Sequence, residues 1–111
     1  MTALTYGAIT IGVAAKLLFH EKRILAHRET EEIAIAELKI WRVPRSERYP
    51  SGRKYSLFLV APGRTILGFD NHSPKGPHLH LGDAEVPYSY TTDEKLLLDF
   101  WELAEKAGFE A

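Results

Sequence analysis

Cysteine is absent from this 111-residue chain, which excludes a disulfide framework and any thiolate metal site and makes a cytoplasmic protein the natural expectation. Long apolar runs are absent too. The stretch Ala8–Ala15 is mildly apolar, but it lacks a basic flank and ends at Lys16. It is far shorter than the roughly 20 residues of a membrane span, and it makes a poor signal peptide. The expectation is a soluble, intracellular protein with no membrane partner. Net charge is close to zero, −1 at pH 7, but that value conceals an asymmetry. Residues 39–75 carry eight Lys and Arg against Glu47 and Asp70, whereas residues 81–111 carry eight Asp and Glu against Lys95 and Lys106. A basic middle suits a polyanionic partner such as nucleic acid, and an acidic tail suits a solvated helix face. Mixed charge that merely keeps a small domain soluble accounts for the same numbers.

Apolar residues make up 45% of the chain, enough for the core of one globular domain. Residues 16–111 read as that domain. Residues 1–15 read as an extension that forms an added strand, a short helix or a frayed arm. Two short apolar runs, 16–20 and 23–27, flank Glu21-Lys22. Residues 33–43 alternate with period two, placing Leu38, Ile40 and Arg42 on one side of a long strand that Pro44 ends. The loop 44–53, with three arginines, two prolines and a glycine, is expected to be exposed. Residues 54–61 and 65–70 form a hairpin about Pro62-Gly63. His78–Leu81 and Val86–Tyr90 are shorter strands about Gly82-Asp83. Thr91 reads as an N-cap with Glu94 completing a capping box. Beyond it, Leu96, Leu97, Phe100, Trp101, Leu103 and Ala104 recur at helical spacing, with Gly108 as the stop. The fold class is α+β: a curved antiparallel sheet of four or more strands with a C-terminal helix, 92–106, packed on one face.

Chemistry concentrates in 68–80. Asp70, Asn71, His72, Lys75, His78 and His80 fall within one turn and the strand after it. Residues two apart on a strand share a face, so His78 and His80 point together, with Asp70 and Lys75 brought near by the turn. Three readings follow. As acid and base, the histidines suit RNA phosphodiester cleavage near neutral pH, with Lys75 or an arginine from 42, 48 or 53 on the transition-state charge. As ligands, they offer two nitrogens to a metal, with Asp70, His72 or Asp83 as the third. As structure, they are polar residues on a solvated sheet face. Asp70 and Asn71 are also ordinary turn formers. Gly76 marks a backbone conformation closed to other residues. Tyr49, Tyr55, Tyr88 and Tyr90 are able to stack on bases or donate phenolic protons, although Tyr55 and Tyr88 also suit packing at the sheet surface.

The order Lys16-Leu17-Leu18, Ile40-Trp41-Arg42-Val43-Pro44, Lys54-Tyr55, Leu67–Asn71, Lys75-Gly76-x-His78-x-His80, Pro87-Tyr88 and Asp99-Phe100 resembles the TumE-type toxins of type II toxin–antitoxin systems, over about residues 16–104. The resemblance implies a small sheet-plus-helix toxin, neutralised by a separately encoded antitoxin with a DNA-binding domain. It carries the family's positions onto Asp70, Asn71, Lys75, His78 and His80. The expected activity is that of an endoribonuclease needing no metal or other cofactor, because spacing alone fixes no third neutral ligand. In that scheme His78 and His80 exchange protons with the 2′-hydroxyl and the leaving 5′-oxygen. Lys75 and Arg42 hold the phosphate, and Asp70 orients an imidazole. Asn71, Arg48, Arg53, Tyr55 and Tyr88 complete the substrate contacts. The alternatives are a toxin that inhibits a protein target by binding it, and a metal-dependent nuclease or phosphodiesterase. Partners are thus the antitoxin, RNA and, as a further candidate, a second copy of the chain.

Overall fold

The computed structural model describes residues 15–72 and 76–111. The alternatives for the N-terminal extension fall on residues 1–14, and Lys75 falls within 73–75; both lie outside the described residues. Seven strands and one helix follow in the order β1 (Lys16–His27), β2 (Ile33–Arg42), β3 (Arg53–Ala61), β4 (Arg64–Asp70), β5 (His78–Leu81), β6 (Ala84–Pro87), α1 (Asp93–Lys106) and β7 (Phe109–Glu110). All seven form one curved antiparallel sheet in the order β6-β5-β4-β3-β2-β1-β7. Helix α1 lies on one face, as the fold class predicts.

Strict alternation builds that face. Ala34, Ala36, Leu38 and Ile40 of β2, Tyr55, Leu57 and Leu59 of β3, and Leu67 and Phe69 of β4 are buried, and the register sets them side by side. Leu96, Phe100 and Ala104 of α1 close over them. Each such large apolar side chain contributes about 1.5–3 kcal/mol when fully buried. Leu97, Leu103 and Trp101 are only partly buried at the rim of this core. Trp101 therefore departs from the core position its helical spacing suggests. Its ring instead carries Arg23, whose guanidinium carbon is 4.6 Å from the ring centroid.

The element boundaries hold three corrections. Glu21-Lys22 does not divide β1. The ladder with β2 runs through both residues, Glu21 facing the helix side opposite Leu38 and Lys22 the open side opposite Glu37. The cap of α1 is Thr92, one residue later than expected: its hydroxyl accepts from Lys95 N at 3.1 Å. That start places Asp93 in the first turn, where the Arg53 Nε–H donates to both of its carboxylate oxygens at 3.1 Å. Strand β6 runs Ala84–Pro87 rather than Val86–Tyr90, because the two-residue Gly82-Asp83 turn sets Ala84 opposite Leu81 and β5 ends its pairing with His78 opposite Pro87.

Candidate active site

The face of the sheet away from α1 carries the polar residues of the alternating strands. Register fixes their rows. Lys39 pairs with Ser56, Ser56 with Asp70, Asp70 with His78, and His78 with Pro87. One row over, Glu37 pairs with Phe58, Phe58 with Gly68, Gly68 with His80, and His80 with Glu85. Paired residues share a face, so Asp70, His78, His80 and Glu85 converge on one spot.

The contacts there are specific. His78 Nε2 lies 3.3 Å from Asp70 Oδ1 and 3.2 Å from Glu85 Oε2. His80 Nε2 lies 3.6 Å from Asp70 Oδ2, and its Nδ1 lies 3.8 Å from Glu85 Oε2. The two rings meet edge to face with centroids 4.7 Å apart. His78 is nearly buried, whereas His80 and Glu85 keep solvent access. Gly76, at φ +77°, turns its carbonyl to accept from His78 Nδ1–H at 2.7 Å. That positive φ is the conformation anticipated for this glycine. Asp70 also makes the turn contact anticipated for it, accepting from His72 N at 3.1 Å.

The other sequence candidates separate from this cluster. Arg42 is exposed but shares the parity of Leu38 and Ile40, so it lies toward the helix side. Arg48 is exposed in the loop before β3. Arg53 is committed to Asp93. Tyr55 is 1% exposed, so it presents no surface to a substrate; it stacks on Tyr90 at 5.7 Å, and burial pushes its hydroxyl far above the ordinary phenol range. Tyr88 donates to Asp99 Oδ2 at 2.7 Å, and burial together with that bond raises its phenol likewise. Tyr90 donates to Asp93 Oδ1 at 2.6 Å; burial first, then that bond, push it up to about 12. Asn71 is buried. It accepts from Tyr55 N at 3.0 Å and donates to Arg53 O at 2.7 Å, extending the β3–β4 ladder with its side chain.

Five residues that the sequence reading left out of the site stand on its face: Glu85, Lys39, Lys54, Trp41 and Phe58. Lys54 Nζ sits 4.8 Å from the Trp41 ring centroid. Together with Glu37, Lys39, Ser56 and Phe58 these two line a hollow, in which Lys39 lies 3.8 Å from the Glu37 carboxylate. Phe58 then reaches the His80 ring at 5.9 Å, so this hollow of two lysines, one glutamate and aromatic rings adjoins the cluster. A second hollow beside His80 is lined by Phe58, Arg64, Gly63 and Asp83. Counting outward from a two-residue Gly82-Asp83 turn pairs residue 80 with 85, and that arithmetic alone was enough to bring Glu85 to His80.

Fold and site together define a small sheet-plus-helix protein with a histidine–carboxylate cluster on its open face. The family model described as Toxin TumE matches residues 13–107, and the chain belongs to that family. It is a toxin of a toxin–antitoxin system, and an antitoxin is the partner that membership implies. Searches of curated proteins and of solved structures return no match to this chain. No helix among the described residues is long and apolar enough to cross a membrane.

Proposed function

We propose that this toxin belongs to a type II system, acts in the cytoplasm and cleaves RNA, with the Asp70–His78–His80–Glu85 cluster as its reactive centre. The observation that carries the reading is continuity. The hollow bearing Glu37, Lys39, Lys54 and Trp41 adjoins His80 on the same sheet face through Phe58, which lines the one and contacts the other. Lysines neutralise phosphates, and aromatic rings stack on unpaired bases at about 1–3 kcal/mol per base. From β2 to β5 the face spans three interstrand steps, about 14 Å, enough to seat a short stretch of single strand.

His78 and His80 work as one centre rather than as acid and base on opposite sides of the phosphate. In-line displacement sets the attacking and leaving oxygens on opposite sides of phosphorus. Two rings with centroids 4.7 Å apart, both turned toward Asp70, leave no room for a phosphate between them. His80, the more exposed, is the residue presented to substrate.

The test is inducible expression with and without a cognate antitoxin, followed by mapping of RNA ends. The wild type should produce discrete new RNA ends that the antitoxin suppresses. The His80→Ala protein, at equal abundance, should leave RNA intact. Growth arrest by the wild type with RNA intact would overturn the reading and favour inhibition of a protein target.

A further inference from the structure

The cluster has the donor types and spacing of a ligand set, whatever the toxin acts on. We infer that Asp70, His78 and His80, with Glu85 on the fourth side, bind a divalent transition-metal ion of the zinc or manganese kind. One donor atom each from Asp70, His78 and His80 lies within 4.8 Å of the others. Donors held about 2.0–2.2 Å from a tetrahedral ion stand about 3.3–3.6 Å apart. The contacts of Asp70 with His78 Nε2, 3.3 Å, and with His80 Nε2, 3.6 Å, fall at that spacing, and that of His78 Nε2 with Glu85, 3.2 Å, lies just below it.

The tautomer points the same way. A carbonyl only accepts, so His78 Nδ1 donates to Gly76 O. In a neutral ring Nε2 then carries the lone pair, which faces two carboxylate oxygens. An ion at the centre satisfies all the donors and is neutralised by the two carboxylates. Outer contacts are also in place: Gly76 O orients His78, and His72 N–H holds Asp70, the arrangement that fixes ligands about a metal. Two imidazoles favour zinc, manganese or their neighbours over magnesium and calcium, which prefer oxygen. Solvent access at His80 and Glu85 leaves a side on which an ion can meet a phosphate oxygen.

The experiment is equilibrium dialysis of chelator-stripped full-length protein against Zn²⁺ or Mn²⁺ in excess Mg²⁺, with metal content measured by mass spectrometry. One equivalent per chain is expected, together with a higher melting temperature. His78→Ala should weaken binding by at least about a hundred-fold, beyond the loss typical of outer-contact changes. Should that variant misfold, His80→Gln and Glu85→Gln, at more exposed positions, carry the test while circular dichroism confirms the fold. Less than half an equivalent bound to the wild type, or unchanged affinity in His80→Gln, would overturn the site. RNA enters neither readout, so this failure and failure of the RNA reading are separable.

Discussion

Phe58 lies across Gly68 so closely that a Cβ at position 68 would stand 2.3 Å from Phe58 Cε1. Glycine there lets the ring settle onto the sheet and reach His80. Gly68→Ala should force the ring outward at a cost of about 1–3 kcal/mol, as overpacking does, and break its contact with His80. Urea denaturation and the His80 ring resonances read the two effects. Unchanged stability together with unchanged resonances would contradict the placement.

Phe100 and Trp101 are neighbours of unequal weight. Phe100 is fully buried, whereas Trp101 sits at the rim under Arg23. Phe100→Ala should cost about 3–5 kcal/mol. Trp101→Ala should cost less, since part of its ring already meets solvent and the cation–π contact is worth only about 0.5–1 kcal/mol. A larger loss at Trp101 than at Phe100 in chemical denaturation would reverse this ranking.

Adjacent residues of β3 face opposite sides of the sheet and should fail differently. Arg53 ties β3 to the first turn of α1 through Asp93, so Arg53→Ala should cost about 1.5–3 kcal/mol of stability and leave RNA affinity unchanged. Lys54 faces the hollow, so Lys54→Ala should leave stability within about 0.5 kcal/mol and lower the salt dependence of RNA binding by about one unit of slope. Fluorescence titrations of a single-stranded oligonucleotide at several salt concentrations separate the two variants.

Asp99 links stability to pH. Burial raises its carboxyl, but hydrogen bonds from Lys95 and Tyr88, with the Lys95 charge, outweigh burial and hold it below the ordinary range. A carboxyl depressed in the folded state stabilises above its unfolded value of about 3.9, and the gain disappears as pH falls through the folded value. The stability gap between wild type and Asp99→Asn should therefore stay level from pH 7 to about 5 and shrink below about 4. A gap that widens on acidification would oppose this sign.

Elements with a local signature were legible in the sequence. Period-two alternation defined β2, Pro62-Gly63 the β3–β4 hairpin, and the spacing of Leu96, Phe100 and Ala104 the helix. What depended on partners was not. Strand β1 runs through Glu21-Lys22 only because β2 supplies its ladder, and β7 is two residues long, too short to carry any pattern. At the candidate site, His78 and His80 share a face by simple alternation and Asp70 lies beside them by register. Glu85 was legible too, by counting residue 80 opposite 85 across the Gly82-Asp83 turn, but the strand expected after that turn began only at Val86. Arg53 and Tyr55 look like substrate groups by type, and their partners Asp93 and Tyr90 lie far along the chain, so composition around β3 does not reveal their packing roles.

Among the described residues, β1 has a strand partner on one side along most of its length. Among the described residues only the two-residue β7 pairs with its outer edge, at Ala26 and His27. A row of unsatisfied backbone groups on an apolar strand invites identical chains to add on and grow. The charges at Glu21, Lys22 and Arg23 interrupt the apolar runs midway along that edge, and charged side chains of this kind blunt an edge against chain addition. The break in pattern that obscures this strand in the sequence also puts on its rim the kind of charged residues by which sheet edges resist aggregation.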